Sequence, residues 1–413
     1  MFISSDRPAP IGSDSARTAR STRHTAARPT TTSRVRQLVR RLHLWLGLSV
    51  GLLFVLIGLT GSALVFYVEI DAALHPASRI EAERGPGWDS PVWDRALAAA
   101  RAEWPGPAGS WSFEATGKGG AIPARYYPHA GHHGHHGHHA EREMVWFSPD
   151  GTQVVRHAPW GGYAMSWLYE LHMHLLAGEL GSQVVGWSGT VMLLLLVSGI
   201  AAWWPRGRWR KALAFKQDAA PIRRLRDLHK LFGLWSAGLL LVLVGTGVLL
   251  ALPNVKALLL APDSVPDPTS SRVDGRQIPI VQALAAAHRA LPAARLAFID
   301  VPGHGDGAIR MRVQVPGDPH RRFPSSFIFV DQYSGKVLAV HDERRGTSGT
   351  RLGAWIRCLH DGSVGGLPVR ILAVLLGLVP AILFVTGFLH WRRRRRAARP
   401  QATAKAHFGS NIS

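Results

Sequence analysis

Cysteine and acidic residues are scarce in this sequence, and the shortage of cysteine excludes two kinds of site. The 413 residues contain one cysteine, Cys358. A single thiol excludes an intramolecular disulfide and any zinc or iron–sulfur site built on cysteine thiolates. Aspartate and glutamate number 27 against 48 lysines and arginines, a formal net charge of +21. The sequence also lacks a G-x-G-x-x-G motif after a predicted strand, so we expect no dinucleotide-binding domain.

The basic residues lie beside long apolar runs rather than along one soluble surface. Four runs are long enough to cross roughly 30 Å of hydrocarbon, at about residues 44–68, 184–204, 231–252 and 367–391. Basic stretches precede the first run, separate the second from the third and follow the fourth. Because basic flanks remain in the cytoplasm, this pattern predicts a bacterial inner-membrane protein with four spans and both termini inside. It argues against a nucleic-acid partner and, since the first apolar run is long, against a cleaved signal peptide.

The fold class that follows is a mainly α membrane protein with two soluble outer domains. Each outer segment shows the pattern of one amphipathic helix, at 91–104 and 278–291, and of a hairpin around a glycine turn. The predicted organisation is a disordered basic tail (1–33), TM1 (34–68), outer domain 1 (69–166), an approach helix with TM2 (167–205), a basic loop (206–228), TM3 (229–252), outer domain 2 (253–355), an approach segment with TM4 (356–391) and a disordered basic tail (392–413).

Four histidines at the ends of apolar segments repeat between the two halves of the chain. His43 and His229 occupy the matching stretches 42–48 (LHLWLGL) and 228–234 (LHKLFGL), 186 residues apart, and each apolar run then ends in Thr-Gly. His172 and His360 both follow a leucine, 188 residues apart, and precede Ser198-Gly199 and Thr386-Gly387. The repetition predicts a duplicated two-helix unit, whose halves pack about an axis along the membrane normal.

The predicted topology sorts these histidines into two layers. His43 and His229 start outward-going spans, so they lie near the cytoplasmic face, whereas His172 and His360 lie near the outer face. Each layer receives one histidine from each half, and two imidazoles that face each other across a bundle provide both axial ligands of a haem iron. A purely interfacial role, with the imidazole at head-group level, is the alternative for each of them.

Two further histidines are weaker candidates for haem ligands. His174 is two residues from His172 and therefore points to another side of its helix. His390, at the cytoplasmic end of the fourth span, competes with His43 and His229 as a ligand, or extends to the interface as a polar anchor. Arginines near the two layers are candidates for pairing with haem propionates, or are simple topological anchors: Arg41, Arg226, Arg357 and Arg370.

Glycines inside the spans permit close approach between helices, which is the default interpretation, or leave room for a flat macrocycle. They are Gly58, Gly61, Gly199, Gly245, Gly247 and Gly387.

A separate histidine tract lies in the first outer segment and has no counterpart in the second. Neutral imidazoles at this density bind divalent transition metals. The tract lacks carboxylate or thiolate partners, so we interpret it as an insertion with opportunistic metal affinity. Its histidines are His132, His133, His135, His136, His138 and His139.

In the order and spacing of its motifs, the sequence resembles the PepSY-associated transmembrane family of bacterial inner-membrane proteins, which includes iron-regulated proteins and ferric-siderophore reductases. The resemblance covers about residues 34–396. It is carried by RLHLWLGL (41–48), GLTG (58–61), ELH (170–172), LHKLFGLW (228–235), LHDG (359–362) and TGF (386–388) before the last arginine run.

The resemblance implies two small α/β PepSY-like periplasmic domains and, as in the reductase members, two b-type haems ligated by histidines among His43, His172, His229 and His360. We therefore expect a di-haem reductase that carries electrons to a periplasmic ferric siderophore or other chelate. The donor is expected to be a separate protein, reduced flavin or a quinol, because the cytoplasmic loops are too short for a nucleotide domain. The alternative is a non-enzymatic membrane protein whose outer domains bind peptide or metal for sensing or transport.

Overall fold

The computed structural model describes residues 31–80, 82–106, 109–128, 142–205, 207, 213–215, 217–271 and 275–409. Its helices are α1 (Thr31–Leu64), α2 (Tyr67–Leu74), α3 (Val92–Glu103), α4 (Ala164–His174), α5 (Gly178–Trp203), α6 (Pro221–Ala251), α7 (Pro253–Leu260), α8 (Ile280–Ala290), α9 (Ser348–Asp361) and α10 (Gly366–Gly409). Its strands are β1 (Ser110–Glu114), β2 (Ile122–Tyr127), β3 (Glu143–Phe147), β4 (Val154–Pro159), β5 (Arg295–Val301), β6 (Ala308–Gln314), β7 (Ser326–Asp331) and β8 (Val337–His341).

The helices α1, α5, α6 and α10 are long and apolar enough to cross a membrane, which agrees with the four predicted spans. Apolar side chains on their outer surfaces are exposed, among them Leu52 at 67%, Trp235 at 76% and Leu375 at 55%. Such exposure is costly in water but natural for a surface that faces lipid. The four helices form one bundle in which α1 packs on α10 and α5, and α6 packs on α5 and α10.

The prediction of two outer domains requires two separate sheets. The outer segments do not form two separate sheets. All eight strands belong to one antiparallel sheet in the order β4-β3-β2-β1-β5-β6-β7-β8. The two halves join where β1 pairs with β5, from Trp111 opposite Val301 to Glu114 opposite Phe298. Without this pairing, β1 and β5 would both be edge strands with unpaired backbone groups, and the pairing removes both edges at once.

The two faces of the sheet differ in chemistry because side chains alternate along each strand. One face packs against α3 and α8 and forms the main apolar core, with Phe113, Ile299 and Met311 fully buried. We call the other face the bundle face, since it lies over the short helices at the end of the membrane bundle: Asp71 of α2 binds Arg156 of β4 at 2.8 Å. The bundle face is rich in arginine and aromatic residues.

Two boundary predictions need correction. The loop predicted at 206–228 is shorter, because α6 begins at Pro221 and takes in Arg223, Arg224 and Arg226; proline at the first helical position favours this start. The tail predicted to be disordered after residue 391 continues α10 to Gly409, through an alanine- and arginine-rich stretch with high helix propensity. The tail at 1–30 and the histidine tract at 132–139 lie outside the described residues.

Candidate functional site

The bundle brings the four repeated histidines together as two pairs. The rings of His172 and His360 have centroids 6.4 Å apart with an interplanar angle of 40°, and we call them the sheet-side pair. The rings of His43 and His229 have centroids 6.2 Å apart at 86°, and we call them the opposite-end pair. Each pair takes one histidine from each half of the chain, which is the arrangement that the topology predicts.

Every one of the four imidazoles is held through Nδ1 by the neighbouring helix of its own half. His172 lies 3.1 Å from the Ile57 carbonyl and 3.0 Å from Thr60 Oγ1. The same two kinds of contact recur in the second half. They are His360 with the Leu243 carbonyl at 2.9 Å and Thr246 Oγ1 at 3.3 Å, and His229 with the Leu383 carbonyl at 2.9 Å and Thr386 Oγ1 at 3.2 Å. His43 contacts Ser198 Oγ at 3.0 Å.

These contacts determine the tautomer of each ring. A carbonyl oxygen only accepts hydrogen bonds, so the Nδ1 that faces it carries the proton. The Thr60 hydroxyl donates to the Leu56 carbonyl at 2.8 Å, and the Ser198 hydroxyl donates to the Leu195 carbonyl at 3.0 Å. Both hydroxyl oxygens therefore accept from the histidine. Nε2 is left as the nitrogen with a lone pair, and a metal-binding histidine is typically oriented in this way.

The glycine after each hydroxyl residue makes room for the ring. A Cβ atom added at Gly61 or at Gly247 would lie 2.8 Å from Cε1 of His172 or His360. At Gly199 and Gly387 the corresponding distances to His43 and His229 are 3.1 and 3.3 Å. At each of the four histidines, the glycine of a Ser/Thr-Gly motif therefore leaves space for the imidazole ring. We call this motif the seat of that imidazole.

The default interpretation of the span glycines is thus wrong for four of the six. It holds for Gly58, where an added Cβ would lie 2.3 Å from the Gly377 carbonyl oxygen of α10. Gly245 faces open space, with nothing within 4 Å of an added Cβ.

The spacing within each pair suits one shared metal ion. With metal–nitrogen bonds of roughly 2 Å and a ring nitrogen about 1 Å from its centroid, imidazoles on opposite sides of one ion have centroids about 6 Å apart. Within the described ranges no group of three or more histidine, cysteine, aspartate or glutamate side chains is arranged to hold a metal ion. Two nitrogen ligands without further protein ligands fit a haem, whose macrocycle supplies the other four.

The two weaker histidine candidates belong to neither pair. His174 Nδ1 lies 2.7 Å from Glu170 Oε2 on its own helix. His390 is half-buried near the opposite-end pair, close enough to His229 for an electrostatic interaction. Of the candidate propionate partners, Arg370 binds Glu69 at 2.7 Å and Arg226 lies 3.7 Å from Asp227. Arg41 is exposed, and Arg357 stacks on an aromatic ring of the bundle face.

Sequence reasoning missed the polar layer between the sheet and the bundle. It contains a short hydrogen bond between the hydroxyls of Tyr67 and Tyr163, at 2.6 Å, and a contact between His320 Nε2 and Asp361 Oδ2, at 3.0 Å. It also contains Arg310 and Arg312 of β6, which alternate with buried apolar residues. That alternation was a usable signal, because arginines at every second strand position must share one face.

Comparison with known proteins identifies the family of the chain. The family model for the PepSY-associated TM region matches residues 40–394. The chain is also 28% identical over 260 residues to Uncharacterized protein PA4219 of Pseudomonas aeruginosa, covering 57% of this chain and 65% of that relative's length. The chain thus spans slightly less than two thirds of the curated relative it matches. The family match confirms the resemblance seen in the motifs, and with four apolar helices the chain belongs to the PepSY-associated transmembrane family as a multi-pass membrane protein.

Proposed function

We propose that the protein is a membrane oxidoreductase that holds two haem groups and passes electrons through the bundle to a ferric chelate on the sheet side. One observation carries this proposal. Two imidazole pairs lie inside the bundle with centroid separations of 6.2 and 6.4 Å, and each ring is oriented through Nδ1. Paired interfacial anchors have no need of this orientation, whereas axial ligands do.

The two histidine pairs lie near opposite ends of the bundle. His43 and Thr60, the residue that holds His172, are 17 positions apart on α1. At about 1.5 Å per residue they are separated by roughly 25 Å along the helix, most of a hydrocarbon core of roughly 30 Å. Haem iron supplies one-electron redox chemistry when it is bound. The histidines of the bundle then hold and orient two such groups, one near each membrane face.

The ends of the path follow from topology and ligand chemistry. Basic residues flank the spans at the opposite end, so we place that end and both termini in the cytoplasm and the sheet in the periplasm of a bacterial inner membrane. The donor would be a separate protein, reduced flavin or a quinol. At the sheet side, a ferric ion that gains one electron becomes ferrous, and the hard oxygen ligands of a siderophore hold it less tightly. The released ferrous ion is then available to the cell, so the reaction would serve iron acquisition.

Visible spectroscopy tests the proposal directly. The protein is purified from membranes of a host that makes haem, and its haem is counted as the pyridine complex. We expect two b-type haems per chain, a Soret band, and α bands that sharpen on reduction with dithionite. Adding a ferric chelate to the dithionite-free reduced protein should then reoxidise it, with ferrous iron trapped by a chromogenic chelator. Colourless protein from haem-replete membranes would overturn the proposal and favour a peptide- or metal-binding role for the sheet.

A further inference from the structure

Five guanidinium groups meet between the bundle face of the sheet and α9. Phe323 lies at their centre: the guanidinium carbons of Arg312, Arg322 and Arg357 lie 5.7, 5.2 and 4.9 Å from its ring centroid. Phe298 stacks on Phe323 at 5.6 Å and carries Arg125 on its ring at 4.8 Å. Arg310, the fifth, lies 5.5 Å from the neighbouring ring of Phe327.

Two carboxylates, Glu114 and Asp300, already form ion pairs with arginines of this cluster. Glu114 accepts from Arg322 at 2.6 and 2.9 Å and lies 3.6 Å from Arg125. Its burial would raise its pKa, but these two guanidinium groups outweigh burial and keep the pKa below its ordinary value. Asp300 accepts from Arg310 at 2.8 Å and from Ser112. Three of the five guanidinium groups are therefore accounted for.

Arg312 and Arg357 remain without an ion pair to any carboxylate of the described chain. Arg312 donates to the backbone carbonyls of Pro324 and Phe323, which are neutral acceptors. Burial, followed by the charges of Arg357 and Arg310, lowers the pKa of Arg312 to about 9. An arginine keeps its proton in a protein. The lowered pKa therefore means that the positive charge of Arg312 is only partly compensated, because Asp300 raises the pKa by less than burial and the neighbouring arginines lower it. A guanidinium group that is largely removed from water and has no carboxylate in an ion pair with it is unfavourable.

We propose that Arg312 and Arg357 form a carboxylate-binding site on the bundle face of the sheet. Both side chains are half-buried, so they keep accessible surface. The planar guanidinium groups suit bidentate carboxylate recognition, and Phe323 holds both of them against one ring. Arg357 precedes His360 by three residues on α9, about one helical turn, which places the site beside the sheet-side pair.

Two sources of carboxylate reach this position. One is an acidic metal chelate that arrives from solution. The other is the propionates of a haem held by the sheet-side pair, and this second source rests on the proposed function. The two sources differ in whether the ligand exchanges with solution, and the experiment uses that difference.

The first arm measures chelate binding without electron transfer. Full-length protein in lipid nanodiscs is titrated with gallium(III) citrate, which is acidic, and with neutral gallium tris-maltolate; gallium(III) is not reduced under these conditions. If the carboxylates come from solution, Arg312→Gln and Arg357→Gln each raise the Kd for the citrate complex about tenfold or more. Arg357→Lys retains part of the affinity because it keeps the charge. Arg289→Gln, an exposed arginine of α8 on the other face of the sheet, alters net charge equally and leaves binding unchanged.

The second arm measures haem retention in the same variants. If propionates are the ligand, citrate binding is unaffected, whereas transfer of haem to apomyoglobin becomes faster and the midpoint potential of one haem shifts. Correctly folded glutamine variants that change neither chelate binding nor haem retention overturn the site. Colourless protein that still binds gallium citrate through Arg312 and Arg357 refutes the haem proposal alone and leaves this site in place.

Discussion

The sheet-side pair and the opposite-end pair use the same contacts at each histidine but differ in their surroundings. Both pairs hold Nδ1 on a neighbouring helix and place the ring on a glycine. The sheet-side rings lie closer to their glycines, at 2.8 Å from an added Cβ against 3.1 and 3.3 Å at the opposite end. The ring planes are tilted by 40° in one pair and 86° in the other.

The chain thus repeats the Nδ1 contact and the glycine at each histidine, and it varies the ring tilt and the surroundings of each pair. The sheet-side pair lies beneath the arginine residues of the bundle face. Arg357 and Asp361 lie on α9, the helix that carries His360. The opposite-end pair lies at the basic end of the bundle, near His390 and Arg226. If haems are bound as proposed, these different electrostatic surroundings would give the two haems different reduction potentials.

The largest difference between the two pairs is expected when one histidine is removed from each of them in turn. If the two proposed haems are bound, His172→Ala leaves the sheet-side pair with one imidazole and does not change the opposite-end pair, so the low-spin haem signal should fall by about half. His43→Ala should lose the complementary half, with different midpoint potentials for the haem that remains. Redox titration followed in the visible region measures both.

One control variant is needed to interpret these results. His288→Ala removes a histidine of α8, which stacks on Trp88 far from the bundle, and should leave both signals intact. Loss of the whole signal from either single variant would contradict two independent seats.

A smaller effect is expected from the glycines. In Gly61→Ala the new methyl group lies 2.8 Å from Cε1 of His172, too close for real contacts, so the ring must shift. We expect haem at the sheet-side seat to be bound about 10–100-fold more weakly, as for other losses of ligand orientation. Gly387→Ala, at 3.3 Å from His229, should cost less, and the ratio of the two effects measures how differently the seats are built.

Gly245→Ala is the matched control, because nothing lies within 4 Å of its added Cβ. It should leave haem binding at both seats unchanged. If Gly245→Ala and Gly61→Ala reduce haem binding equally, helix packing rather than imidazole seating explains the glycines.

The histidine pairing was predictable because it depends on topology alone. Four apolar runs and their basic flanks place His43 beside His229, without any knowledge of helix orientation. The use of Gly61 was not predictable in the same way. A small residue in a span marks a close contact, but the sequence does not reveal whether a helix, as at Gly58, or a side chain fills the space.

The continuous sheet was missed for a related reason. Alternation and turns are local signals, and they predicted the hairpins formed by β3 with β4 and by β7 with β8. The pairing of β1 with β5 joins residues almost two hundred positions apart, and no local pattern records it. What the sequence does contain is the alternation of Arg310 and Arg312 on β6, which predicts a polar face once the sheet is known.

A still smaller effect is expected when one hydroxyl is removed. In Thr60→Val the His172 Nδ1–H keeps the Ile57 carbonyl as acceptor, at 3.1 Å, so the sheet-side haem should be retained with affinity reduced only a few-fold. Ser198→Ala makes the same change beside His43, which keeps its hydrogen bond to the Leu195 backbone. The rate of haem transfer to apomyoglobin measures both variants, and Thr190→Val, which removes a hydroxyl bonded within α5, is the control. A full loss of haem in Thr60→Val would show that the hydroxyl, not the carbonyl, orients the ring.

The smallest effect concerns buried carboxyl groups, which also differ between the two ends. At the opposite end Asp227 is buried beside Lys230, at 3.3 Å. On the sheet side Glu343 is buried beside Asp318, and burial followed by that second carboxyl raises the pKa of Glu343 to about 8. Because this pKa is raised above the unfolded value of about 4.3, folding favours the protonated form. Its contribution to stability is complete below pH 4.3 and is lost as the pH rises to about 8.

Glu343→Gln should therefore flatten the decrease in thermal stability between pH 5 and pH 8, because glutamine keeps a neutral side chain in the same place. Tryptophan fluorescence during heating at each pH gives the unfolding midpoint, and we expect the wild-type value to fall by a few degrees more than that of the variant. Glu103→Gln, at an exposed carboxylate near the end of α3, should follow the wild type. Parallel profiles for Glu343→Gln and the wild type would mean that Glu343 does not take up a proton on folding.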